Sequence, residues 1–195
     1  MNAPAAAASG YGSGQSHSVQ SGPRVALRPL APEDGAALHR VLSDPGVCRY
    51  MPSRPLTSLA AAHEFIGLCR SYAAIGSLHT FAVAPVNAPS ALCGIVQASR
   101  LAAEIEVGFA LGQEQWGSRL MTEAMAALLA WAAERSPGQV AWAACDVQHD
   151  AARRMMEELG FDVDRLLPQY RVHPALGLQP RDCVRYQRRL GGTKP

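Results

Sequence analysis

The chain has 195 residues, enough for one domain with a core of its own. Apolar residues make up 48% and charged residues 17%, the net charge is only +2, and Lys194 is the single lysine. That composition carries no basic stripe for direct nucleic-acid binding, and no apolar run is long enough to span a membrane.

Five cysteines, Cys48, Cys69, Cys93, Cys145 and Cys183, are odd in number, widely spaced and form no C-x-x-C pair. They read as small buried hydrophobes in a reducing compartment. The N-terminus joins no basic segment to an apolar one, so no signal peptide is predicted and the expected location is cytoplasmic.

Taken in order, residues 1–22 are mostly Ala, Gly, Ser and Gln, and read as a disordered tail. Residues 23–191 read as the single domain. Alternation over 25–30 predicts a strand. Pro32, Glu33 and Asp34 suit the first turn of a helix buried through Leu38, Val41 and Leu42, and stopped by Asp44, Pro45 and Gly46. Residues 44–57 look irregular. Ser58 caps a second helix to about residue 72, with Ala62, Phe65, Ile66 and Cys69 inward. Strands are predicted at 79–84, 92–97 and 105–111. After Gly112 and Gly117 comes a long helix with Leu120, Ala124, Ala127, Leu128 and Trp131 on one face, widened by Met121, Met125 and Leu129. Ser136, Pro137 and Gly138 end it. A strand at 140–145, a helix from about Asp150 to Leu159, a stop at Gly160, a strand at 161–167, an irregular stretch at 168–180 and a strand at 183–190 complete the chain. This order predicts one mixed α/β sheet with helices on both faces, and not a doubly wound dinucleotide fold.

The search for chemistry narrows quickly. The six histidines are scattered, no H-E-x-x-H is present, and no metal site is expected. G-x-S-x-G and Walker A are absent, and Gly12 and Gly14 do not follow a strand. Strand, glycine turn and helix start around 105–120 form an anion seat, since the first helical N–H groups lack partners; an ordinary structural crossover reads the same way. Glu104 and Glu106 share one side of their strand, which suits a general base or a solvated face. His149, between a strand and a helix, suits proton transfer or a plain loop position.

Several ordered pieces resemble the GCN5-related N-acetyltransferase (GNAT) superfamily, in particular its ribosomal-protein N-terminal acetyltransferase-like branch. They are VALRPL at 25–30 with PED at 32–34, DPGVCRYM at 44–51, EVGF at 106–109, WGSRLMTEA at 116–124, HDAARRMMEELGF at 149–161 and RDCVRY at 181–186. The resemblance implies a mostly antiparallel twisted sheet in which the strand at 105–111 carries a bulge and splays from a parallel strand at 140–145. It implies acetyl-CoA as cosubstrate and a primary amine as acceptor, on a protein N-terminus or a small molecule, in a monomer or homodimer.

On this resemblance the cofactor-binding residues are Val107, Phe109, Gln115, Trp116, Gly117, Ser118, Arg119 and Leu120. The pyrophosphate would sit on backbone N–H groups from about 115 to 120. Glu106 matches the family glutamate that draws the amine proton through water, and N–H groups near 107–109 would polarise the thioester. His149 stands where the family has Asn, and is the second catalytic candidate. Glu114, Arg119 and Ala152 also depart from the family pattern, and the alternative is a non-catalytic module of the same fold. Arg49, Tyr50, His79, Tyr170 and His173 are candidates for the acceptor pocket.

Overall fold

The computed structural model describes residues 20–101 and 103–191. Eight strands form one sheet: β1 (Gln20–Ser21), β2 (Val25–Pro29), β3 (Leu78–Pro85), β4 (Gly94–Leu101), β5 (Glu104–Leu111), β6 (Val140–Asp146), β7 (Asp162–Val172) and β8 (Pro180–Arg189). Their spatial order is β1-β2-β3-β4-β5-β6-β8-β7. Neighbours run antiparallel except β5 and β6, which are parallel. A parallel pair needs a crossover, and helix α3 (Leu120–Arg135) supplies it.

Helices cover both faces because side chains alternate along each strand. Val25, Leu27, Phe81, Val83, Val96 and Ile105 point to the face under α3 and α4 (Asp150–Glu158). On the other face Ala82, Ile95 and Ala110 pack with Leu38, Leu42 and Ile66 of α1 (Gly35–Leu42) and α2 (Leu59–Ala74). Every apolar position expected on the inner face of α3, Met121, Met125 and Leu129 included, is buried.

The element order follows the periodicities, with local differences. The stretch 1–19 of the expected tail lies outside the described residues. Gln20 and Ser21, at the end of that tail, pair with Leu27 and Ala26. The first helix is a 3-10 turn, Pro32–Asp34, followed by α1. Within 44–57, Val47–Tyr50 forms a 3-10 turn. The strand after Gly160 continues past Pro168 to Val172, with register shifts between Val163 and Arg165 and between Leu167 and Arg171. Proline is tolerated there because β7 is an edge strand and needs no inward N–H at that position. The bulge implied for 105–111 has no counterpart in the pairing with β4, whose register runs without a shift from Gly94↔Leu111 to Leu101↔Glu104. The opening of the sheet lies wholly on the other side of β5.

Candidate active site

That opening starts beside a carboxylate. β5 and β6 pair at Glu104↔Val140, Ile105↔Ala141 and Glu106↔Trp142, and no further. β5 continues to Leu111 and β6 to Asp146, so the strands part after Glu106. The edge of β5 facing β6 carries unmatched backbone groups from Val107 onward, and such groups call for a partner. The cleft has a volume of about 940 Å³, with Val107 to Leu111 on one wall and Ala143 to Asp146 on the other.

Glu106 belongs to a cross-strand row. Leu78 pairs with Ser99 and Ser99 with Glu106; in the next row Thr80 pairs with Gln97 and Gln97 with Gly108. Paired residues share a face, so these rows lie on the face that α1 and α2 cover further along. Leu78, Gln97, Ser99 and Glu106 all line the cleft. Arg171 of β7 donates to Glu106 Oε1 at 2.9 Å, with both side chains about three-quarters covered. One carboxylate oxygen is thereby anchored, and Oε2 has no protein partner among the described residues. Glu104, two positions back, is held by Arg185 at 2.7 Å.

At the other end, β5 runs through Gly112 and a 3-10 turn, Gln113–Gln115, into α3. Gly117 has φ +75° and Arg119 φ +64°, two left-handed residues that bend the turn into the start of α3. The N–H groups of Gln115, Trp116 and Ser118 bond within the turn, and that of Leu120 reaches Ser118 Oγ. Those of Gly117, Arg119, Met121 and Thr122 find no acceptor among the described residues. They sit at the positive end of the α3 dipole, which suits an anion. Arg119 turns its guanidinium to Glu158 at 2.8 Å, and Glu114 is exposed and does not line the cleft.

The loop after β6 packs on the 3-10 turn before α2. His149 stacks on Tyr50 with ring centres 4.4 Å apart, and Tyr50 meets the edge of His173 at 6.0 Å. Burial pushes the His149 and His173 imidazoles below the ordinary value, so both are neutral at pH 7. His173 Nδ1 lies 3.4 Å from Met51 O; its Nε2 lies 3.4 Å from Asp146 Oδ2 without hydrogen-bond alignment. Burial works to raise the Asp146 carboxyl, but the Arg181 guanidinium and the Gln148 N–H outweigh it and hold the acid below its usual range. Cys145, on the β6 wall, is pushed up to about 12 by burial and is a poor nucleophile.

The structure brings Glu106, Val107, Phe109, Gln115, Trp116, Gly117, Arg119 and His149 to this one cleft. Ser118 and Leu120 do not line it: the serine hydroxyl donates within the turn at 2.6 Å, and the leucine is core. Of the acceptor-pocket candidates, Arg49 and Tyr50 line the cleft and His79, Tyr170 and His173 do not. His79 lies against Trp131 and Phe81 on the α3 face. Sequence reasoning missed Arg171, Gln97, Ser99 and Arg154. Arg171 is 65 positions from Glu106, in a stretch with no pattern of its own; Gln97 and Ser99 were findable as the polar alternates of a strand. Among the described residues no group of His, Cys, Asp and Glu side chains is placed to hold a metal ion, and no helix is long and apolar enough to cross a membrane.

Comparison with known proteins agrees with this geometry. Residues 24–162 match the family model described as an acetyltransferase (GNAT) domain. An uncharacterized N-acetyltransferase p20 of Bacillus licheniformis is 24% identical over 149 residues, which is 75% of this chain and 84% of the relative. The ribosomal-protein-S5-alanine acetyltransferase of Vibrio fischeri superposes with a TM-score of 0.77 at 16% identity, covering 91% of this chain and 100% of that one. The spermidine N-acetyltransferase of Vibrio cholerae, solved with CoA and spermine, superposes with a TM-score of 0.72 at 16% identity, covering 85% of this chain and 95% of that one. With a family model spanning most of its length and the splayed parallel pair in place, the chain belongs to the acetyltransferase (GNAT) domain family and is an acetyl-CoA-dependent acetyltransferase.

Proposed function

We propose that this enzyme transfers the acetyl group of acetyl-CoA directly to a primary amine, on a protein N-terminus or a small molecule. The observation that carries the reading is that the parallel pairing ends at Glu106, so the carboxylate stands at the apex of the opened strands. The residues present fit the cosubstrate. The unmatched edge of β5 suits the amides of a pantetheine arm, and the amides of Gly117, Arg119, Met121 and Thr122 suit a pyrophosphate. Acetyl-CoA supplies the thioester carbon and a thiolate leaving group.

The chain's own residues do the rest. Glu106 Oε2 takes the amine proton through a water, while Arg171 fixes the other oxygen. N–H groups of β5 within 107–109 stabilise the oxyanion. His149, neutral and stacked on Tyr50, orients a proton at the thiol end. No covalent acyl-enzyme is needed, and the raised thiol of Cys145 argues against one. Of the departures from the family pattern, Glu114 stays out of the cleft and Arg119 keeps the turn's left-handed bend, while Ala152 lines the cleft without a hydroxyl.

The test is thiol release from acetyl-CoA with an α-amine acceptor. Glu106→Gln keeps an oxygen for Arg171 and removes the base, so turnover falls about 100-fold or more while acetyl-CoA affinity is unchanged. Wild-type turnover in this variant removes Glu106 as the base.

A further inference from the structure

The charges around the cleft divide by partner. Glu106 is paired with Arg171, Arg119 with Glu158, and Asp146 with Arg181. Arg49 and Arg154 line the same cleft and have no carboxylate within ion-pair distance among the described residues. Arg154 lies on α4 beside the Arg119–Glu158 pair, at the end with the free amides. Arg49 lies on the α1 and α2 side of the cleft, on the 3-10 turn Val47–Tyr50, whose Val47 packs against the core under those helices; it is exposed and 5.6 Å from the Tyr50 ring centre.

Besides the Glu106–Arg171 pair, the cleft-lining groups on that side include Val47, Met51, Pro52, Leu78, Gln97 and Ser99, all neutral or apolar. The nearest acid in sequence, Asp44, does not line the cleft; its Oδ1 accepts from Gly46 N, Val47 N and Gln113 Nε2. This wall therefore offers a surplus guanidinium and no carboxylate that lacks a cation.

Resting on the acetyl-transfer reading above, we infer that the acceptor is an α-amine that carries a carboxylate close by, held by Arg49, and not a polycationic amine. A polyamine brings several ammonium groups, and each needs an acid that this wall does not supply. An anionic group meets Arg49 as a charge-assisted, bidentate partner. The unpaired guanidinium of Arg49 also favours the neutral amine over the ammonium. That helps an α-amine, with an ordinary pKa of about 8, more readily than an alkyl amine of about 10. The carboxylate belongs either to an acidic residue near a peptide N-terminus or to a small amino acid.

The test is thiol release with saturating acetyl-CoA and a panel of four acceptors: a tetrapeptide with Glu at its second and third positions, the same peptide with Lys there, free glutamate, and spermine. Wild type prefers the Glu peptide or glutamate over the Lys peptide and spermine by about tenfold or more in kcat/KM. Whichever of the first two leads identifies the source of the carboxylate. Arg49→Glu reverses the preference toward the Lys peptide. Arg49→Gln, which only removes the charge on an exposed rim, abolishes the preference without reversing it. Spermine or the Lys peptide leading in wild type, with transfer otherwise normal, overturns this inference and leaves the acetyl-transfer reading standing. An unchanged preference in Arg49→Glu overturns it equally. No thiol release with any amine overturns the acetyl-transfer reading and the inference with it.

Discussion

Arg119 holds a backbone conformation that an arginine resists. With φ +64° and ψ +9° it sits in the left-handed region, at the N-cap of α3. That region costs a non-glycine residue about 1–2 kcal/mol. Its ion pair with Glu158 is exposed and returns no more than about 1 kcal/mol. Arg119→Gly is therefore more stable than Arg119→Ala by about 1 kcal/mol, read as a difference in urea midpoint at equal slope. Equal midpoints would show that the turn is not strained at this residue. The family pattern asks for a small residue here, and the sequence reveals the departure. What it hides is that the backbone keeps the left-handed bend and that the side chain swings to Glu158, 39 positions away. Glu106 is similar: its place on the strand is legible from alternation, while its anchor Arg171 is a tertiary fact.

At the scale of elements, two joints shape the cleft. The first is the pair Arg28–Asp34, with contacts of 2.7 and 2.6 Å and both residues buried. Asp34 Oδ2 also accepts from Ala31 N, and Arg28 Nε donates to Pro89 O. Together they fix β2 to the start of α1, which leads into the loop bearing Arg49 and Tyr50. Asp34→Ala strands a buried guanidinium and lowers stability by about 3–5 kcal/mol, measured by urea unfolding. A loss below about 1 kcal/mol would mean that Arg28 finds another partner or water. The second joint is the splay of β5 from β6. Periodicity predicted both strands within a residue or two, because each alternates or is flanked by glycine. It did not give the point where pairing stops, which depends on how α3 and α4 hold two strands far apart in sequence. The same limit applies to β7: Pro168 and Gln169 read as a break, yet pairing with β8 carries the strand through two register shifts.

For the whole molecule, three imidazoles set the response to acid. His79, His149 and His173 are all shifted down, chiefly by burial. The unfolded chain then binds more protons as pH falls through about 6.5, where free imidazoles titrate. Stability from keeping these rings neutral is complete above that value and declines below it. Tm should be flat from about pH 8 to 7 and fall by several degrees by about pH 5.5. His173→Gln, which cannot titrate, should show a shallower fall. A Tm that does not change over this window, or an equally steep fall in His173→Gln, contradicts the assignment.

The most direct test of the central claim is a calorimetric titration of the wild-type chain with acetyl-CoA at neutral pH. A cleft between β5 and β6 with free amides at the start of α3 predicts saturable one-to-one binding. No heat at any concentration up to about millimolar would contradict it, because a dissociation constant weaker than that leaves only about 4 kcal/mol for the whole cosubstrate.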